Sequence, residues 1–299
     1  MPRWTDVALF LVMASSWAIN YPLVKIALQY EPPLVLLFFR VAFASVISVI
    51  IFRRSIKIPR DLASMGRIVI FALLNIVIFM GLWFIGEETE TAAISSIIIY
   101  TYPILSILLS AMFLNDKLNR YAVAGTVFGF LGLVTIFADQ LVIRPNIGLA
   151  LLFGGALSWA IGTVYFKKFL STIGNATVNS LQFFIALPIT AAIAFPAGQF
   201  SVSGLTIEFL IISFIIGSIG TGVAYYIFLD LVSKYNISEI SAYFFAVPAL
   251  SLLFSFALIH EEESYFTILG FILVSVGIYL VSLRPGVQKV AGSVYNNSK

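Results

Sequence analysis

Ten long apolar segments, separated by short polar connections, constrain the fold of this chain more than any other feature of its sequence. A helix that crosses the roughly 30 Å hydrocarbon core of a bilayer needs about 20 mostly apolar residues. Runs such as IVIFALLNIVIFMGLWFI lack the period-two alternation of a membrane β-barrel strand. The sequence therefore predicts an all-α membrane protein with ten transmembrane helices. The predicted helices are residues 6–28, 34–52, 67–85, 92–114, 121–138, 147–166, 176–195, 208–229, 237–259 and 265–283.

The composition excludes the other broad classes of protein. Hydrophobic residues make up 61% of the 299 residues and charged residues only 10%, against about 45–50% and 25% in soluble domains. With 28 Phe and 13 Tyr, the chain is also too aromatic for a disordered segment. Cysteine is absent, so neither a disulfide frame nor a thiolate metal site is predicted, and no cofactor is expected.

The basic residues predict the orientation of the chain in the membrane. All but three of the 17 Lys and Arg residues fall on one side of the predicted bundle, and positive residues mark the cytoplasmic side. The sequence therefore predicts a multi-pass protein of the cytoplasmic membrane with both termini in the cytoplasm. The exceptions are Arg144 in an outer connection, and Lys25 and Arg40 within predicted helices. Because topology accounts for the positive charge, the expected partners are the lipid bilayer and a small-molecule substrate, and no nucleic acid.

The two halves of the chain resemble each other. The tetrapeptide Ser-Trp-Ala-Ile at residues 16–19 recurs at 158–161, and the pattern Pro-x-x-Ser-x-x-x-Ser begins at Pro103 and again at Pro248. Five predicted helices per half require the two units to have opposite orientations, and inverted repeats are typical of secondary transporters. The fold class is thus ten transmembrane helices as two inverted five-helix repeats. The predicted divisions are residues 1–143, 144–285 and a cytoplasmic C-terminal tail, 286–299.

With these features the chain resembles the EamA family of the drug/metabolite transporter superfamily. The resemblance rests on the five-plus-five arrangement and on Pro103 and Pro248, whose helices are followed by the acidic residues Asp116 and Glu261. It implies a central cavity among helices one to four and six to nine, with helices five and ten outside. It also implies a transporter rather than an enzyme, and several similar proteins export amino acids or related metabolites.

Polar and aromatic residues that share helix faces predict the substrate site. Trp17, Asn20 and Tyr21 share one face of the first helix. Arg40 lies about two turns into the second helix, where a charge is costly. It is either a structural arginine that snorkels or pairs with Glu87 or Glu88, or an anchor for a substrate carboxylate or phosphate. The predicted substrate-binding residues are Trp17, Asn20, Tyr21, Arg40, Asn75, Phe79, Tyr100, Trp159, Thr163 and Tyr225.

Four residues are predicted to take part in gating. Pro22, Pro103 and Pro248 are hinge candidates, because proline removes a backbone donor and loosens a helix. Lys25, near the outer end of the first helix, either snorkels to the interface or pairs with outer acidic residues when the outer gate shuts. Acidic residues are missing from the interior of the predicted helices, so a proton relay through a membrane carboxylate is not expected.

These features predict a secondary transporter that exports amino acids or related small metabolites by alternating access. Two alternatives stay open: an antiporter of phosphorylated or nucleotide sugars, with Arg40 as the phosphate anchor, and a drug efflux carrier. The sequence offers no buried nucleophile with a base, so an intramembrane enzyme is not expected. Gly125, Gly129 and Gly132 favour close helix contact within one chain, and a monomer is expected rather than a dimer.

Overall fold

Every regular element in the described part of the chain is a helix. The computed structural model describes residues 4–90, 92–116, 119–140, 146–196, 201–259 and 265–282. In these ranges seven helices are long and apolar enough to cross a membrane, and three further apolar helices are shorter. The prediction of an all-helical membrane protein is confirmed. The helices are α1 (Trp4–Ala27), α2 (Pro33–Phe52), α3 (Leu62–Glu87), α4 (Ala92–Ile99 with Tyr102–Leu114), α5 (Arg120–Ile136), α6 (Ile147–Phe169), α7 (Asn175–Ala194), α8 (Ile207–Lys234), α9 (Ile237–Ile240, Ser241–Phe245 and Ala246–Ile259) and α10 (Tyr265–Ser282).

Side-chain caps define where several helices begin. Asp61 accepts a hydrogen bond from the Ser64 amide at the start of α3, at 2.7 Å. Asn146 caps α6 and Thr206 caps α8 in the same way. Each cap satisfies one of the backbone donors that a helix leaves unpaired in its first turn. The hydrogen bonds from Ser64 lower the pKa of the Asp61 carboxyl, so the carboxylate stays ionised. Its negative charge interacts favourably with the positive end of the helix dipole.

Helices from the two halves of the chain interleave. α1 packs along α9, α2 along α7 and α8, and α6 along α3 and α4. α5 and α10 pack chiefly on each other and touch α9. The most extensive contacts thus join a helix from the first half to one from the second. Space near the middle of the molecule is therefore bounded by both halves.

Glycines permit the close approach of α5 and α10. A Cβ atom built on Gly125 would lie 2.5 Å from the carbonyl oxygen of Gly277, and one on Gly132 would lie 2.8 Å from that of Gly270. Only a residue without a side chain fits at this distance. The glycine motif of the fifth helix therefore packs inside the chain.

Irregular segments interrupt four helices at matching places. α3 contains a six-residue π-helical segment, Leu73–Ile78, and α8 contains another, Ser218–Val223, which begins 145 positions later. α4 is broken between Ile99 and Tyr102, and α9 contains the 3₁₀ segment Ser241–Phe245. π-Helical turns are rare and are frequent at functional sites. The sequence did not predict the π-helical segments.

Candidate functional site

A small cavity lies where α1, α2, α3, α4, α6 and α8 meet. Its volume is about 30 Å³, which is room for no more than a few water molecules. Eight of the ten predicted substrate-binding residues line it, together with Trp83 and Ile99. The lining residues are Trp17, Asn20, Tyr21, Arg40, Phe79, Trp83, Ile99, Tyr100, Trp159 and Tyr225.

Arg40 places a positive charge in the wall of this cavity. Its side chain is only 2% exposed, so it does not snorkel to the surface. Its Nε donates a hydrogen bond to Thr221 Oγ1 at 2.6 Å, and that hydroxyl donates to the carbonyl of Ile216 at 2.8 Å. In the described ranges Arg40 forms no ion pair within 4.0 Å, and its buried Nη1 has no hydrogen-bond partner. A buried cation in this position strongly favours an anionic partner.

Two further polar atoms of the cavity wall are buried with no hydrogen-bond partner among the described residues: Asn20 Oδ1 and Trp159 Nε1. The Asn20 Nδ2 donates to the carbonyl of Gly220 at 3.3 Å, which leaves the amide oxygen as an available acceptor. A Cβ atom on Gly220 would lie 2.2 Å from that oxygen, so the approach of Asn20 requires glycine there. The unpaired atoms of the wall are thus one neutral acceptor, one neutral donor and the cationic donor of Arg40.

Stacked aromatic rings form the remaining wall. The Trp159 ring lies between Tyr102 and Phe79, with ring centroids 3.8 Å and 4.7 Å away and interplanar angles of 15° and 9°. Trp83 continues the stack on the other side of Phe79, 5.7 Å away. Trp17 meets Trp159 edge-on at 5.7 Å. Such packing holds the rings rigidly and gives the cavity apolar faces.

Asn75 and Thr163 do not line the cavity. Asn75 lies in the π-helical segment of α3, where an additional residue in the turn changes the face on which a side chain lies. Its Nδ2 donates to Gln182 Oε1 of α7 at 2.8 Å. Thr163 donates to the Trp159 carbonyl at 2.9 Å, and its hydroxyl lies 3.3 Å from the Tyr102 hydroxyl. Both residues thus bond to other side chains or to the backbone around the cavity, and their contact with a substrate stays a prediction.

Asn75 belongs to a buried chain of amides. Gln182 donates to Asn179 Oδ1 at 3.2 Å, and Asn179 donates to the carbonyl of Gly222 at 2.9 Å and to Ser48 Oγ at 3.3 Å. This network of hydrogen bonds connects α2, α3 and α7 with the π-helical segment of α8. Asn179 and Gln182 were not among the predicted residues, although two amides three positions apart within an apolar helix are a recognisable signal.

Replacing Asn75 by leucine should lower the stability of the protein without abolishing its ability to bind ligand. The substitution leaves the acceptor of Gln182 buried and unpaired, which should cost about 1–2 kcal/mol. Thermal unfolding of the purified protein in detergent measures this. The control is Thr135→Val, because among the described residues the Thr135 hydroxyl bonds to the Leu131 carbonyl of its own helix. If Asn75→Leu removed ligand binding and left the melting temperature unchanged, Asn75 would have to contact the ligand directly.

The predicted gating residues lie outside the cavity. Pro22 is buried within α1, which continues through it as a helix. Pro103 and Pro248 lie in the first turns of Tyr102–Leu114 and Ala246–Ile259, directly after the irregular segments of α4 and α9. Lys25 is exposed in the last turn of α1. Their roles in bending or gating stay predictions.

A larger cavity, of about 250 Å³, lies near the beginning of α1. Its wall is mostly apolar and includes Asp6, Glu239 and Phe10. The Asp6 carboxylate already accepts hydrogen bonds from the Tyr235 hydroxyl at 2.6 Å and from Lys234 Nζ at 3.1 Å. Because these groups are engaged in tying α1 to the end of α8, the smaller cavity around Arg40 is the better candidate site.

Comparison with known proteins gives a consistent result. The sequence profile of the EamA-like transporter family matches residues 4–138 and again residues 146–283. The chain is 29% identical to the uncharacterized transporter YvbV of Bacillus subtilis (strain 168), over 97% of this chain and 96% of that protein. It is 26% identical to a "probable amino-acid metabolite efflux pump" of Escherichia coli (strain K12), over 92% of this chain and 94% of the relative.

A solved crystal structure supports the same fold. It superposes with a TM-score of 0.81 and covers 94% of this chain and 98% of its own, although only 16% of the aligned residues are identical. An identity this low supports the fold and nothing about the substrate. The family match covers both halves of the chain and nearly all of its length. The chain therefore belongs to the EamA-like transporter family, whose members are membrane transporters and not enzymes.

Proposed function

We propose that this protein is a secondary transporter that exports amino acids or related small metabolites by alternating access. The observation that carries the proposal is the cavity around Arg40, in which aromatic walls surround one fixed charge that forms no ion pair within 4.0 Å among the described residues. A transporter site needs a few well-placed polar groups in a mostly apolar cavity. The efflux-pump name of the Escherichia coli relative supports outward transport of amino-acid metabolites.

The unpaired polar atoms of the cavity match the charged groups of an α-amino acid. Arg40 Nη1 and Trp159 Nε1 can donate to a carboxylate, and Asn20 Oδ1 can accept from an ammonium group. The stacked faces of Phe79 and Trp159 suit an apolar side chain and also attract a cation. Binding would therefore give a hydrogen bond to three buried polar atoms, which otherwise have nothing to offset the free-energy cost of their desolvation.

Alternating access explains why so small a cavity can serve an exporter. A volume of about 30 Å³ is too small for an amino acid, so the surrounding helices must move to admit one. The π-helical segments Leu73–Ile78 and Ser218–Val223 border the site from opposite halves. Their backbone bonding departs from the regular helix, and they are suitable points for bending.

The proposed arrangement is ten membrane crossings in two inverted units, residues 1–143 and 144–285. The separate family matches to each half support this division. The three shorter helices are compatible with crossing: α5, with 17 residues, is about 26 Å long at 1.5 Å per residue. The distribution of basic residues supports cytoplasmic termini in the cytoplasmic membrane, and the internal packing of α5 on α10 is compatible with a monomer.

Reconstituted protein tests this function. Proteoliposomes loaded with unlabelled amino acids should take up labelled amino acid by exchange, at a rate well above that of protein-free liposomes. The assay uses a panel of neutral, acidic and basic amino acids and their close metabolites. Absence of exchange across the whole panel, from protein that still unfolds cooperatively, would rule the proposal out.

The positive charge of Arg40 also favours a second candidate, an antiporter of phosphorylated or nucleotide sugars. In that case Arg40→Gln should abolish exchange of anionic sugars while hardly affecting neutral solutes. A thermal-shift screen against amino acids, nucleotide sugars and cationic drugs separates these readings. Ligands that bind the folded protein raise its melting temperature by mass action. Stabilisation by cationic drugs alone would favour a drug efflux carrier.

A further inference from the structure

Lys167 bonds to the end of α8 with its whole ammonium group. Its Nζ donates to the carbonyl oxygens of Val232 at 2.7 Å, Ser233 at 2.9 Å and Tyr235 at 3.0 Å. A lysine ammonium has three protons, so all of them are used. Two of the acceptors belong to the last turn of α8, where carbonyls lack partners within the helix and the helix dipole attracts a cation.

The carbonyls that Lys167 contacts lie at the far end of a helical segment that can rotate as a unit. The segment Ala224–Lys234 follows the π-helical segment of α8 and has 11 residues, so it is about 16 Å long and a rotation of roughly 10° would move its end by about 3 Å. It carries Tyr225 of the cavity wall at its beginning. Movement at the end that Lys167 contacts would therefore separate α8 from α6 along the segment that leads to Tyr225.

The position of Lys167 in the repeat identifies which side this is. Lys167 follows the second Ser-Trp-Ala-Ile tetrapeptide by six residues, as Lys25 follows the first. In the proposed inverted topology Lys167 is at the cytoplasmic side and Lys25 at the outer side. Asp116, in the connection after α4, interacts electrostatically with Lys167: burial raises the pKa of this carboxyl, and the nearby ammonium opposes the rise.

We propose that Lys167 is the latch of the cytoplasmic gate. While its ammonium holds the three carbonyls, the end of α8 stays against α6 and the Arg40 cavity is closed to the cytoplasm. When it releases them, the segment Ala224–Lys234 can swing about the π-helical segment and admit substrate. The proposal rests on the alternating-access function above. It assigns Lys167 a positioning role, since the residue does not touch the cavity.

Cysteine accessibility tests the latch, and the chain has no cysteine of its own. Ala14 is fully buried on α1, one turn from Trp17 toward the beginning of the helix and on the same face. In inside-out membrane vesicles, a membrane-impermeant maleimide should label Ala14→Cys slowly. Adding Lys167→Met should raise the labelling rate on the order of tenfold or more, because hydrogen bonds from a charged group then no longer favour the closed state.

Matched variants separate the latch from general loosening. Lys168→Met removes the neighbouring, exposed lysine. It should not change the labelling rate of Ala14→Cys, and Lys167→Arg should restore slow labelling in part. Equal rates in Lys167→Met and Lys168→Met would overturn the proposal. So would equal acceleration at Ala186→Cys, a fully buried position in α7. The labelling assay contains no substrate, so its result does not depend on whether the protein transports amino acids. A negative result for the latch is therefore distinguishable from a negative result for amino-acid transport.

Discussion

Replacing Arg40 by glutamine should abolish amino-acid exchange while leaving the protein folded. A hydrogen bond to a charged group contributes about 1.5–3 kcal/mol, so the loss of the guanidinium should weaken substrate binding by roughly 10- to 150-fold. Arg40 has no ion pair within 4.0 Å in the described part of the chain, so removing it breaks no short salt bridge, although Glu87 interacts with it electrostatically at longer range. Because burying a cation without a short ion pair is costly, the melting temperature of Arg40→Gln should not fall.

Transport and unfolding are measured on the same preparations. Labelled substrate exchange in proteoliposomes gives the functional effect, and ligand-induced thermal stabilisation gives the binding effect. Arg67→Gln is the matched control, since Arg67 is exposed on α3 and lies over the Phe169 ring, away from the cavity. Saturable exchange of carboxylate substrates by Arg40→Gln at the wild-type rate would show that Arg40 is structural.

Replacing Gly277 by alanine should destabilise the protein by about 1–3 kcal/mol, the usual cost of overfilling a packed interface. The added Cβ atom would lie 2.6 Å from the Gly125 carbonyl oxygen and 2.8 Å from the Gly129 amide nitrogen. Both are backbone atoms, which cannot rotate away as a side chain could. α10 and α5 must therefore separate, and they are each other's principal packing partners.

A glycine-to-alanine substitution at a position with free space around it should instead raise the stability of the protein. A Cβ atom at Gly66, in α3, would meet nothing within 4 Å. Gly66→Ala should therefore stabilise the protein by about 0.4–1 kcal/mol, because alanine restricts the unfolded chain. Thermal unfolding of both variants in one detergent makes the comparison. A rise in melting temperature for Gly277→Ala would contradict the packing of α5 on α10.

Helical periodicity was sufficient to find most of the candidate site. Trp17, Asn20 and Tyr21 were identified because residues three and four apart share a helix face, and all three line the cavity. Asn75 shares the face of Phe79 in a regular helix but does not line the cavity, because it lies in a π-helical segment. Tyr102 was missed because its contribution depends on stacking against Trp159, a residue on another helix.

The sequence by itself determined that the chain is an all-helical membrane protein and which faces of its helices are polar. These properties depend on hydropathy and spacing along one segment, and both can be counted in the printed sequence. The tertiary structure alone decided which polar faces meet. Arg40 approaches Thr221, and Lys167 approaches the end of α8, through contacts between helices far apart in sequence. Such contacts depend on the crossing of packed helices, which no local pattern specifies.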